Sequence, residues 1–67
     1  MPHIPAIVAR LENEARGVRR LAVRVLGDLG EHAVPHIPAI EARLEHWSEY
    51  VRHAAAEVLA LLHAANH

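Results

Sequence analysis

Pro2-His3-Ile4-Pro5-Ala6-Ile7 and Pro35-His36-Ile37-Pro38-Ala39-Ile40 are the same six residues, 33 positions apart. The identity resumes at Ala9-Arg10-Leu11-Glu12 and Ala42-Arg43-Leu44-Glu45. It returns at Val18/Val51, Arg19/Arg52, Ala22/Ala55, Val25/Val58, Leu26/Leu59 and Leu29/Leu62. Writing 2–34 above 35–67 therefore aligns the chain with itself without a gap. A period of this length belongs to stacked supersecondary units, none of which can bury its apolar face alone.

Inside each unit the apolar residues fall at helical spacing. Ile4, Ile7 and Leu11 (Ile37, Ile40 and Leu44 in the second copy) mark one helix; Val18, Ala22, Val25, Leu26 and Leu29 mark the next. The spacing predicts an all-α chain of four helices, at about 3–13, 16–29, 36–46 and 49–64, in one domain over 1–67. Its architecture is two stacked helical hairpins, an α-solenoid fragment close to a four-helix bundle. Pro5 and Pro38 suit a first helical turn, where a missing amide hydrogen costs little. Gly17 is expected in or beside the first inter-helix turn and Ser48 as cap of the fourth helix. Gly30 is expected to stop the second helix, and Pro35 to enforce a break before the third.

Ile-Pro-Ala-Ile, a Leu, a short polar turn, Val-Arg, an Ala-rich amphipathic stretch and Leu-Gly-x-Leu-Gly together resemble the HEAT repeats, especially the short type. The resemblance covers the whole chain and implies a scaffold for protein association, with no particular chemistry. It implies an Asp two residues after the Leu that ends the first helix of each unit; those places hold Asn13 and His46. The second unit departs further, with Trp47 and Tyr50 opposite Glu14 and Gly17, and with Leu61 replacing Asp28.

Composition narrows the function classes. At 52% hydrophobic and 22% charged, the chain is too apolar for disorder. A chain this short buries only about 60% of the surface it exposes when unfolded, so support from a partner or a metal is expected. There is no cysteine, which excludes disulfides and thiolate metal sites. Seven basic residues, all arginine, are interspersed among eight acidic ones; this argues against nucleic acid or an acidic membrane surface as partner. Neither a membrane span nor a targeting signal is evident, so a soluble protein is expected. No nucleophile-base pair, phosphate loop or paired-carboxylate motif appears, and an enzyme is not expected.

Two candidate sites remain. Trp47 and Tyr50 are the only aromatics and fall at the turn before the fourth helix, where large amphipathic rings anchor interfaces. Ala54, Val58 and Leu61 form an i, i+4, i+7 row, expected on the end face where a third unit would stack. Together these five residues are the expected interface of a homodimer, with another protein as the alternative partner. The alternative is zinc, possible at the i, i+4 pair His63/His67 with His46 and His53 as further donors. Two ligands from one chain fall short of tetrahedral zinc, so this route needs two copies around the ion. The near-copy of 2–12 at 35–45 and the lack of lysine fit a recent duplication and an engineered origin alike.

Overall fold

A computed structural model describes residues 3–65 and is helical apart from short turns. Four α-helices follow one another: α1 (Ile4–Ala9), α2 (Arg16–Leu29), α3 (Ile37–Ala42) and α4 (Glu49–Ala65). The two halves match element for element, since α1 and α3 each run into a 3-10 turn, Arg10–Glu12 and Arg43–Glu45. Pro5 and Pro38 occupy the first turn of α1 and α3, as their missing amide hydrogen requires.

The connection between the halves corrects the expectation of four separate helices. Gly30–His36 winds as a 3-10 helix that runs directly into α3, so the described residues form three unbroken helical stretches. Pro35 lies inside the connection and does not break it. The segment is drawn inward because Ala33 is fully buried, and backbone held in the interior must satisfy its own hydrogen bonds. The change of direction falls on Gly30, at φ 54° and ψ −123°, whose N–H donates to the Gly27 carbonyl. Only glycine enters that region without strain. Gly17 lies beside the first inter-helix turn, as the second residue of α2, with nothing within 4 Å of where a Cβ would stand. The same substitution therefore has opposite signs: Gly17→Ala is expected to stabilise by about 0.5 kcal/mol and Gly30→Ala to destabilise by about 1–3 kcal/mol. Urea midpoints of the two variants check this.

A single core runs through both halves. Ile7, Val8, Leu11, Ala22, Val23, Leu26 and Ala33 from the first join Ile40, Ala54, Ala55, Val58 and Leu62 from the second. Val8 and Val23 are core residues that the repeat alignment passes over, because their equivalents, Glu41 and Ala56, are exposed. Helices α2 and α4 lie side by side in the same direction: the Arg19 guanidinium sits 5.3 Å from the Tyr50 ring centre near their N-termini. Near their C-termini, a Cβ added at Gly27 would come within 2.8 Å of Leu61 Cδ1.

This packing corrects the position of the Ala54, Val58 and Leu61 row. Ala54 and Val58 belong to the core and are buried; Leu61 alone remains 45% exposed. The row turns towards the first unit rather than away from it, since that is the side on which α2 lies.

Candidate functional site

The two inter-helix turns share one design. In the first, the Ala15 N–H donates to Asn13 Oδ1 at 2.9 Å, while Arg19 Nη1 donates to the carbonyls of Asn13 and Glu14, both at 2.8 Å. In the second, the Ser48 N–H donates to His46 Nδ1 at 3.0 Å, and Arg52 Nη1 donates to the carbonyls of His46 and Trp47 at 2.8 and 3.0 Å. Asn13 and His46 thus do the work of a turn-closing aspartate, accepting the N–H two residues on. The repeat-related arginines satisfy carbonyls that the preceding helical turn leaves open. Ser48 holds the cap position through its backbone, its carbonyl accepting the Arg52 N–H at 3.1 Å.

His46 is occupied on both ring nitrogens. With Nδ1 accepting from Ser48, the proton resides on Nε2, which lies 3.2 Å from Glu12 Oε1. Glu12 Oε2 receives Arg43 at 2.9 Å, so one carboxylate ties the first unit to the turn region of the second. Sequence reasoning missed Glu12 and Arg43, because their pairing spans 31 residues and carries no local pattern.

The expected zinc donors do not converge. His53 is exposed, with Nε2 3.6 Å from Glu57 Oε1 on its own helix. His53 and His63 on α4 are separated by about 15 Å of helix rise, too far to share one ion. His67 lies outside the described residues, and among the described residues no three His, Asp or Glu side chains gather as a metal site.

The exposed apolar side chains are more telling. Trp47 is 88% exposed and Tyr50 64%, so neither ring folds back over the core. The Trp47 ring leans on His46, centres 5.2 Å apart. Tyr50 and Leu61 share with Leu21 a broad open trough of about 1540 Å³ along α2 and α4. Its walls differ in charge. Arg16, Arg20 and Arg24 form an i, i+4, i+8 stripe on α2, whereas α4 presents Glu49 and Glu57. A smaller apolar groove of about 290 Å³, lined by Ile7, Val18, Leu21, Ala22 and Val25 with Arg10, lies on the other side of α2.

Among the described residues no helix is long and apolar enough to cross a membrane. Neither curated proteins nor solved structures give a match. The family model for HEAT repeats matches residues 2–60, spanning both hairpins and the turns that join them, and the chain belongs to that family.

Proposed function

We propose that this HEAT-repeat chain is a protein-binding module whose partner is a second copy of itself. The observation that carries the reading is the exposure of Leu21, Tyr50 and Leu61 along one trough, with Trp47 projecting from the neighbouring turn. Exposed aromatic and aliphatic side chains concentrated on one face mark an interaction surface. Trp47, Tyr50 and Leu61 are the contact residues; Ala54 and Val58 support them from within the core.

Light scattering across a concentration series, in chelator and again with equimolar zinc, tests the reading. A dimer in chelator is the expected result. A chain that dimerises only with zinc would replace apolar contact with a bridge drawn from His46, His53, His63 and His67. A monomer in both conditions would overturn self-association.

A further inference from the structure

We propose that the second copy docks face to face on the α2–α4 surface, about a two-fold axis running along the helices. Each α2 then lies over the partner's α4. This rests on the self-association argued above and specifies its geometry.

Repeat-related positions on α2 and α4 carry inverted charge. Arg16 and Arg24 in α2 correspond to Glu49 and Glu57 in α4, and Arg20 corresponds to His53. All six are exposed. Among the described residues Arg16, Arg20, Arg24 and Glu49 form no ion pair, and Glu57 meets only His53, at 3.6 Å. Three cations at 16, 19 and 20 also oppose the positive end of the α2 dipole, and no acidic residue in its first turn offsets them. Within the single chain the arginine stripe faces solvent.

A two-fold axis parallel to the helices gives it a partner. Because α2 and α4 are parallel and within about two residues of repeat register, with Arg19 beside Tyr50 and Gly27 beside Leu61, this rotation sets each residue close to its own repeat equivalent in the other copy. Arg16 faces Glu49, Arg24 faces Glu57, and symmetry doubles both contacts. An axis across the helices would instead place the arginine stripe against itself. Charge thus selects one of the two face-to-face arrangements, as complementary potentials select orientation at interfaces generally.

Gly17 supports the same register independently. Gly17 lies in the first turn of α2, and nothing stands within 4 Å of where its Cβ would be. Its repeat equivalent is Tyr50, 64% exposed. In the proposed dimer the Tyr50 ring of each copy lies on the bare backbone at Gly17 of the other. The other equivalent pairs in the trough, Arg20 with His53, Leu21 with Ala54 and Asp28 with Leu61, add no charge match; Leu21 and Leu61 contribute apolar contact there.

Sedimentation equilibrium of the full chain tests this with Arg24→Glu, Glu57→Arg and the double variant, each checked for helicity by circular dichroism. Either single reversal creates two like-charge contacts per dimer and is expected to weaken association about tenfold or more; the double variant restores it to within about threefold of the starting chain. The Arg16→Glu and Glu49→Arg pair repeats the test at the other end. Association of the unaltered chain should also weaken as salt rises. A stable dimer indifferent to the single reversals, or weakened further by the double one, would refute this interface while leaving self-association intact. A monomer at every concentration would refute both.

Discussion

Replacing Val58 by Asp is expected to unfold the chain rather than release a folded monomer. Val58 is fully buried among Leu11, Leu26 and Leu62, and among the described residues no polar side chain is buried with it. A carboxylate there has no partner, and an unpaired buried charge costs several kcal/mol even after the structure relaxes. At about 0.05–0.15 kcal/mol per residue, a chain of this length has only roughly 3–10 kcal/mol of stability to lose. Leu61→Asp, one turn further along α4, is the contrasting variant: its site is 45% exposed, so the helix should persist while the trough loses an apolar contact. Far-UV circular dichroism at 25 °C separates the two. A helical Val58→Asp chain would mean that the row belongs to an outer face after all.

The second large effect is a difference between two residues that the sequence makes equivalent. Leu11→Ala is expected to cost about 2–5 kcal/mol and Leu44→Ala about 1 kcal/mol, read as shifts in urea midpoint. Leu11 is wholly enclosed, because the second unit closes over the flank of the first. Leu44 occupies the same place in its own unit but is not covered in the same way and stays 37% exposed. Truncating the enclosed leucine leaves a cavity whose walls cannot easily collapse, whereas water already reaches the other. Equal losses would show that the two flanks are equally packed and would contradict the single shared core.

Much of the hairpin unit was legible from residue types alone. Helical periodicity, proline in the first turn of α1 and α3, and the glycine that turns the chain after α2 all act over a few residues, so the residues that cause them lie together in sequence. The turn acceptors were half legible. Asn13 and His46 stand out as departures from the HEAT pattern, but only the bonds to Ala15 and Ser48 show that they perform the aspartate's task. That is why His46 reads as a metal donor on paper and as a turn-closing residue in three dimensions.

The sequence by itself determined a helical repeat unit, its duplication and its membership among interaction scaffolds, because a repeated local pattern specifies a unit completely. Tertiary structure decided which flank of each unit is inside. It buried Ala54 and Val58, left Leu44 at an edge, drew Glu12 to Arg43 and His46, and aligned the arginines of α2 beside the glutamates of α4. None of this is carried by the pattern of one unit, because identical units become unequal when each has a neighbour on a different side.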